Sequence, residues 1–228
     1  MSGIVFAASY STYYMQLSGF STQASFRLQI VQQVLSMIGN TCSWYLTDKV
    51  GRRPLTLWGV VTLSVVLMIM GGLAVVGSIG ALKGAVAMIL LYCFIYNVTI
   101  GATAYNIIAE VSTSRLRVKT ISVGIAFQYS LFVMWSFVLP KLFNPDQANL
   151  GGKTGFIFGS FSLLSIAYLY VYQPETAGRS YEELDELFMK HVPARKFKTY
   201  KTDAEVNGQI AKRNSVSNDP ADGVPVYE

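Results

Sequence analysis

The stretch "TGFIFGSFSLLSIAYLYVYQPETAGRSYEELDELF", residues 154–188, joins two different kinds of sequence. Its first 21 residues, 154–174, carry no charged side chain, and charge returns abruptly at Glu175. An α-helix rises about 1.5 Å per residue, so about 20 apolar residues cross a hydrocarbon core about 30 Å thick. The first part therefore predicts a membrane-spanning helix, and the second predicts a charged segment at the membrane surface.

The rest of the chain repeats this pattern of long uncharged stretches. Hydrophobic residues make up 52% of the 228 residues and charged residues only 14%, whereas a soluble domain has about 25% charged residues. A sixth apolar stretch, residues 1–26, begins at the first residue. The other uncharged stretches that are long enough to span a bilayer are residues 28–47, 54–82, 84–109 and 120–140. The sequence thus predicts an all-α membrane protein whose transmembrane bundle occupies residues 1–174.

Several other classes of protein and site are disfavoured. Residues 1–26 lack the basic n-region of a signal peptide, and their polar run "SYSTYY" is a poor apolar core for one. Cys42 and Cys93 lie in separate apolar stretches, which favours buried small side chains over a disulfide or a metal pair. His191 lies in the polar tail with no metal cluster around it. We therefore expect no cofactor, no metal and, because the basic residues follow membrane topology, no nucleic-acid partner.

Lysine and arginine are divided unequally between alternate connections. Fourteen of the 18 basic residues lie near residues 49–53, near residues 115–119 or after residue 175. Because basic residues concentrate in cytoplasmic loops, the bias predicts a cytoplasmic C-terminus and a first stretch that runs from inside to outside. We expect a multi-pass membrane protein, surrounded by lipid.

The segment after the last span predicts a short surface helix followed by a tail. Ser180 with Glu183 three residues later is a capping-box pattern, and Leu184, Leu187 and Phe188 fall on one face of the following helix. Residues 175–190 are therefore expected to be a cytoplasmic amphipathic helix. Residues 191–228 are polar and poor in large aliphatic side chains, so we expect a disordered cytosolic tail.

Acidic and basic side chains recur together at three helix ends on the predicted inner side. They are Asp48, Arg52 and Arg53 in "DKVGRRPL" (residues 48–55), Glu110, Arg115 and Arg117 in "AEVSTSRLRVKT" (residues 109–120), and Glu175 and Arg179 after the last span. Ordinary positively charged loops, which are the alternative, would need the arginines but not the paired acids. Paired charges that form and break can act as a gate, because charge-assisted hydrogen bonds stabilise its closed state.

These motifs, with "GGKTGFIF" (residues 151–158) and "QPETAGRSYEELDELF" (residues 173–188), resemble the signatures of the sugar porter family of the major facilitator superfamily. The resemblance covers residues 1–190 and lies on the C-terminal half of that fold. Within the family, "YSTYYMQLSGFSTQASF" (residues 10–26) and "SWYLTDKVGRRPLTLWG" (residues 43–59) are most similar to fungal α-glucoside (maltose-type) permeases.

The resemblance implies a six-helix half of a twelve-helix transporter, with substrate held at the midplane between two halves. Met1 stands at the position of a leucine inside the family's seventh span, so we expect a truncated first helix and a fragment. The implied activity is alternating-access symport of an α-glucoside or hexose with a proton. We expect the chain to be inactive alone unless it pairs with an N-terminal half or a second copy.

The resemblance also implies roles for particular residues. Val5 and Phe132 replace asparagines of the family. The residues expected to face the sugar are Ser36, Asn97, Tyr105, Gln128 and the aromatic gate residue Tyr10. The residues expected to form the inner charge network that locks the outward-facing state are Asp48, Arg52, Arg53, Glu110, Arg117 and Glu175. Alternatively, Asn97 bonds neighbouring helices, and Tyr10 belongs to an interfacial aromatic belt.

Two other classes of function compete with transport. A sugar sensor or regulatory membrane protein would bind sugar without carrying it, but sensors of this family have very long signalling tails. Residues 191–228 are short for such a tail. A membrane enzyme is disfavoured, because the uncharged stretches contain no pair of ionisable side chains for acid–base work.

Overall fold

Long helices account for most of the computed structural model, which describes residues 3–9, 11–17, 19–112, 116–143, 150–190, 192–194, 197, 199–200 and 202–203. The α-helices are α1 (Ile4–Ser9), α2 (Ser11–Leu17), α3 (Thr22–Val50), α4 (Arg52–Val76), α5 (Ile79–Tyr96), α6 (Ala102–Val111), α7 (Arg117–Phe143), α8 (Thr154–Tyr172) and α9 (Tyr181–Met189). A π-helical turn, Asn97–Gly101, joins α5 to α6, and a 3₁₀ turn, Gly151–Lys153, precedes α8. No residue in the described ranges forms a β-strand, which agrees with the predicted all-α class.

Small residues mark the ends of the central helices. Gly77 ends α4 with a φ of 66°, in the left-handed conformation that glycine adopts without steric cost. Ser78 then caps α5, since its hydroxyl oxygen accepts a hydrogen bond from the N–H of Ala81 at 3.2 Å. The connection from α4 to α5 therefore consists of two residues, Gly77 and Ser78.

Four of the predicted full spans appear as helices that are long and apolar enough to cross a membrane. Within the described residues these segments are Arg52–Val76, Ile79–Val111, Arg117–Leu142 and Thr154–Tyr172. The second segment runs from α5 through the π turn to the end of α6. The prediction of several membrane-spanning helices is confirmed for these four.

The fifth predicted span, residues 28–47, lies inside α3, which is more polar than those four segments. Its exposed side chains include Met37 and Trp44, which are 75% and 70% exposed. Its buried positions are Ser25, Gln32, Gly39, Ser43 and Thr47. A soluble amphipathic helix buries its apolar face instead. The inverted pattern suits a helix that turns polar side chains toward the protein and apolar side chains toward lipid.

The sixth apolar stretch, residues 1–26, does not form one long helix. It contains α1 and α2, and Ser21 then caps α3 by accepting a hydrogen bond from the N–H of Ala24 at 3.3 Å. Ser9 ends α1 and Ser11 begins α2, and a serine hydroxyl competes with the helical hydrogen bonds of the backbone. α1 packs mainly against α5 and α2 packs mainly against α3.

The core of the bundle lies around α4, which packs between α5 and α8. Leu67 and Met70 of α4, Ile89 of α5 and Phe158 of α8 are almost completely buried together. A Cβ atom at Gly155 of α8 would lie 2.7 Å from Met70 Cε and 2.8 Å from the Leu67 carbonyl oxygen. Glycine at this crossing therefore allows the two helix backbones to approach, as small residues do in membrane bundles.

The C-terminal region contains the surface helix α9 and, after it, a few described residues between 192 and 203. Ser180 Oγ accepts a hydrogen bond from the N–H of Glu183 at 3.3 Å, as the capping-box pattern predicts. Leu184 and Leu187 of α9 pack against Phe197, which is only 1% exposed. Val192 and Tyr200 pack against the same cluster. Residues 204–228 lie outside the described residues.

Candidate functional site

An ion pair links the start of α4 to the end of α6. Arg52 Nη2 donates to Glu110 Oε1 at 3.1 Å, and both side chains are more than four-fifths buried. The hydroxyl of Thr176, in the segment after α8, donates to the other oxygen of Glu110 at 2.5 Å. The carboxylate of Glu110 therefore joins three separate segments of the chain.

Glu175 binds the N-terminus of α4. Its carboxylate accepts hydrogen bonds from the backbone N–H groups of Arg52 at 3.1 Å and Arg53 at 3.3 Å, and also from the N–H of Ala177 at 3.1 Å. The first N–H groups of a helix have no intrahelical acceptor, and the helix dipole favours negative charge there. The motif after the last span is thus bonded directly to the motif between α3 and α4.

The other residues of the predicted charge network have different partners. Arg53 Nη2 donates to the carbonyl oxygen of Tyr170 at 2.9 Å. The guanidinium of Arg117 stacks over the ring of Tyr181 at 3.9 Å, a cation–π contact that attaches α9 to the start of α7. Asp48 is exposed, and no described residue forms an ion pair with it. The structure therefore clusters Arg52, Glu110 and Glu175, and Arg115 lies outside the described residues.

A cavity of about 320 Å³ lies between α1, the π turn, α6 and α7. Two predicted sugar-facing residues, Tyr105 and Gln128, line it. The hydroxyl oxygen of Tyr105 lies 3.2 Å from Nε2 of Gln128 and 3.4 Å from Oε1 of the same side chain. Val5 and Phe132 line it too, so the two positions that lost a polar side chain form an apolar part of its wall. This cavity therefore offers one compact pair of hydrogen-bonding groups in an otherwise apolar surface.

Trp135 is a cavity residue that sequence reasoning missed. It lies on α7 three residues after Phe132, packs against Phe158 with ring centroids 4.8 Å apart, and has a buried indole N–H with no partner among the described residues. A tryptophan in an apolar stretch looks like any lipid-facing aromatic residue in sequence. Trp135 follows Phe132 by three residues, which places both on one helix face. This spacing could have predicted that Trp135 lies near the cavity.

The other predicted sugar-facing residues are placed elsewhere. The side-chain amide of Asn97 donates to the carbonyl oxygen of Cys93 at 2.8 Å, within its own helix. A Cβ atom at Gly39 of α3 would lie 3.3 Å from Asn97 Cβ, and Ser36 lies one turn before Gly39 on α3. Among the described residues that line the 320 Å³ cavity, neither Asn97 nor Ser36 is found. Tyr10 lies outside the described residues.

The π turn at Asn97–Gly101 is a second feature that sequence reasoning missed. Thr99, inside this turn, meets α4 at Gly59, where a Cβ atom would clash with the threonine side chain. Ile100 and Gly101 of the same turn line the cavity. π turns inside α-helices occur frequently at functional sites. No residue pattern in this stretch distinguishes such a turn from a regular helix.

A larger cavity of about 760 Å³ lies between α4, α6 and α8. Its wall is mostly apolar, and its hydroxyl groups at Thr56, Ser112 and Ser165 bond to carbonyl oxygens of their own helices. Ser162 and Gln173 also line it, and their buried side-chain polar atoms have no partner among the described residues. Neither Tyr105 nor Gln128 is found among the described residues of its wall, whereas both line the smaller cavity. We take the smaller cavity as the candidate binding site.

Comparisons with known proteins identify the family of this chain. The sequence profile of the family described as "Sugar (and other) transporter" matches residues 1–188. The chain is 36% identical over 188 residues to the general alpha-glucoside permease of Saccharomyces cerevisiae, covering 82% of this chain and 30% of the permease. It is 34% identical over 211 residues to maltose permease MAL31 of the same yeast, covering 92% of this chain and 34% of that permease. The chain thus spans about a third of the length of these relatives.

Solved structures of XylE share the fold. An inward-open structure of this xylose transporter from E. coli matches with a TM-score of 0.64 and 20% identity, over 82% of this chain and 42% of that one. A double tryptophan mutant of XylE matches with a TM-score of 0.75 and 22% identity, over 82% and 39% of the two chains. The predicted resemblance to the major facilitator superfamily and to α-glucoside permeases is confirmed, and the relatives are transporters rather than enzymes.

Proposed function

The chain belongs to the sugar transporter family, and on that premise we propose that it forms the C-terminal half of an alternating-access sugar transporter. The proposed substrate is an α-glucoside or a hexose, carried together with a proton. The similarity to an alpha-glucoside permease and a maltose permease supports the substrate class. Because the chain spans about a third of those relatives, we propose that a complete pathway requires an N-terminal half or a second copy of this chain.

The observation that carries this proposal is the joining of three segments by Glu110. Its ion pair with Arg52 and its hydrogen bond with Thr176 tie α4, α6 and the segment after α8 together at one end of the bundle. Ile108, two residues before Glu110, lines the cavity. In alternating access the inner end must close and reopen, and charge-assisted hydrogen bonds between helix ends can form and break with that motion. We propose that this end is cytoplasmic, in agreement with its basic residues.

The cavity residues support a binding role. Tyr105 and Gln128 already exchange a hydrogen bond, so both can turn to sugar hydroxyl groups without creating a new buried polar group. A site that hydrogen-bonds hydroxyl groups discriminates strongly against ligands that lack them. Trp135 and Phe132 supply apolar surface beside this pair. Ser36 on α3 and Asn97 in the π turn remain proposed sugar-facing residues, as does Tyr10, which lies outside the described residues.

The test is uptake of labelled maltose and glucose by yeast that lacks its own sugar transporters. The cells express this chain alone, or together with a separately expressed N-terminal half of the general alpha-glucoside permease, and membrane insertion is measured in parallel. We expect saturable uptake with the added half, and a loss of most uptake in Glu110→Gln. Glu182→Gln is the matched control, because Glu182 is an exposed acid on α9 outside the cluster.

The outcomes separate the proposed transporter from the competing class. Uptake that is lost in Glu110→Gln and kept in Glu182→Gln supports the transporter. Saturable binding of labelled sugar without uptake, in cells where both halves insert, supports a sensor instead. Neither binding nor uptake from inserted halves overturns the proposal.

A further inference from the structure

The junction between α1 and α2 is held from α3 by a buried glutamine. Gln32 Nε2 donates to the carbonyl oxygen of Ala7 at 2.9 Å, and both residues are 1% exposed. Ala7 lies among the last four residues of α1, whose carbonyl groups have no partner within the helix. In an apolar surrounding such a carbonyl needs a donor from another element. Gln32 supplies that donor.

A second buried group reaches the same carbonyl from the other side. Cys93 Sγ of α5 lies 3.9 Å from the Ala7 oxygen, within the range of a weak sulfur hydrogen bond, and Cys93 is 1% exposed. The end of α1 is thus enclosed between α3 and α5. Cys93 therefore lies against the end of α1, and its thiol also bonds to the side chain of Gln32.

The other short helix is held by the preceding turn of α3. Gln29, three residues before Gln32, bonds through its side-chain oxygen to the hydroxyl of Thr12 on α2. Residues three apart lie on the same helix face. One face of α3 therefore bonds to the helices on both sides of the α1–α2 junction, with Gln32 on α1 and Gln29 on α2.

We propose that Gln32 clamps the end of α1 and so positions the α1 wall of the cavity through the Ala7 carbonyl, while Gln29 holds α2 beside it. α1 contributes Ile4 and Val5 to that wall, beside Tyr105 and Gln128 of the binding site. Broken helices in transporters pass through substrate sites, and their freed backbone groups must be satisfied by the surrounding protein. That this cavity is the sugar site rests on the proposed function. The bond from Gln32 to Ala7 does not depend on transport.

The clamp predicts how fast Cys93 reacts with a thiol reagent. The chain has two cysteines, so Cys42→Ser leaves Cys93 alone. We would insert this chain into phosphatidylcholine vesicles, treat it with a small membrane-permeant maleimide, and follow the labelled fraction by mass spectrometry. In the Cys42→Ser background, Gln32→Met keeps the length of the side chain and removes its donor. We expect Cys93 to react about threefold to tenfold faster in this variant, the range that one lost hydrogen bond allows.

Two further variants make the result specific. Gln33→Met is the matched control, because Gln33 is the next residue of α3 and is exposed; its labelling rate should equal that of the parent. Gln29→Met loosens α2 and leaves the Ala7 bond in place, so we expect Cys93 to stay protected. If Gln32→Met fails to insert, Gln32→Asn gives the same test, since it keeps a polar amide that is too short to reach Ala7.

Faster labelling in Gln32→Met alone supports the clamp. The clamp is overturned if Cys93 is labelled at the same rate in Gln32→Met and Gln33→Met. It is also overturned if labelling is accelerated equally in Gln29→Met and Gln32→Met, because that result would indicate a general loosening of α3. Because labelling is measured without sugar, the clamp can fail while uptake succeeds, and uptake can fail while the clamp holds.

Discussion

Gly51 and Glu175 are in contact because Gly51 has no side chain. A Cβ atom at Gly51 would lie 3.0 Å from Glu175 Oε2, which occupies the space in front of the first N–H groups of α4. Gly51 also has a φ of 95° and a ψ of 161°, a backbone conformation that is essentially restricted to glycine. The turn between α3 and α4 therefore has both the shape and the space to receive a carboxylate from the segment after α8.

Gly51→Ala should destabilise the protein by about 1–3 kcal/mol, because alanine is strained in this conformation and its methyl group displaces Glu175. Thermal unfolding of the purified chain in detergent measures the change. Gly72→Ala is the control, since Gly72 lies inside α4 and no atom lies within 4 Å of a Cβ there. Alanine at that position should be neutral or slightly stabilising. Equal losses in the two variants would contradict the contact described for Gly51.

Glu110→Gln should lower the free energy of unfolding by about 1.5–3 kcal/mol, the usual value of hydrogen bonds to charged groups. The variant weakens the bonds to both Arg52 and Thr176. A double-mutant cycle with Arg52→Gln isolates the pair. Its coupling energy should be clearly positive, whereas the cycle of Glu110→Gln with a change at the exposed Glu182 should give a coupling near zero.

Tyr105→Phe and Gln128→Leu should each reduce sugar affinity about twofold to tenfold, which corresponds to the loss of one neutral hydrogen bond. Because the two side chains bond to each other, the double variant should lose less than the sum of the single losses. Equilibrium binding of labelled maltose to the assembled halves measures this. Tyr129→Phe is the control on α7, since Tyr129 is exposed and is not among the residues found to line the cavity. An equal loss in Tyr129→Phe would argue against the cavity as the site.

Arg179→Lys should release the segment that follows α9. Arg179 Nη2 donates to the carbonyl oxygens of Phe197 at 3.1 Å and Tyr200 at 2.6 Å, and its Nη1 pairs with Glu183 at 3.4 Å. Lysine keeps the charge but not the planar fork that reaches several acceptors. Cleavage by chymotrypsin between residues 190 and 203 should accelerate about tenfold. Arg27→Lys, at an exposed position of α3, should leave the cleavage rate unchanged.

Most of the fold was accessible from the sequence because its signals are local. A run of about 20 predominantly apolar residues is long enough to cross a bilayer as a helix, and Ser180 caps α9 through a hydrogen bond three residues away. The clustering of Arg52, Glu110 and Glu175 was also predicted, since all three stand at helix ends on the same side. The partners of Arg53 and Arg117 were not, because a charged side chain at a helix end can reach several neighbours.

The amino-acid sequence by itself determined the class of this protein, its membrane-spanning segments, the family and the motifs at the inner helix ends. Tertiary structure alone decided where α1 ends, that Asn97–Gly101 is a π turn, and that Gln32 bonds to Ala7, 25 residues away. These features depend on which backbone groups are left without a partner once the helices pack. A buried carbonyl takes the nearest available donor, and that donor is set by the crossing of helices rather than by any spacing along the chain.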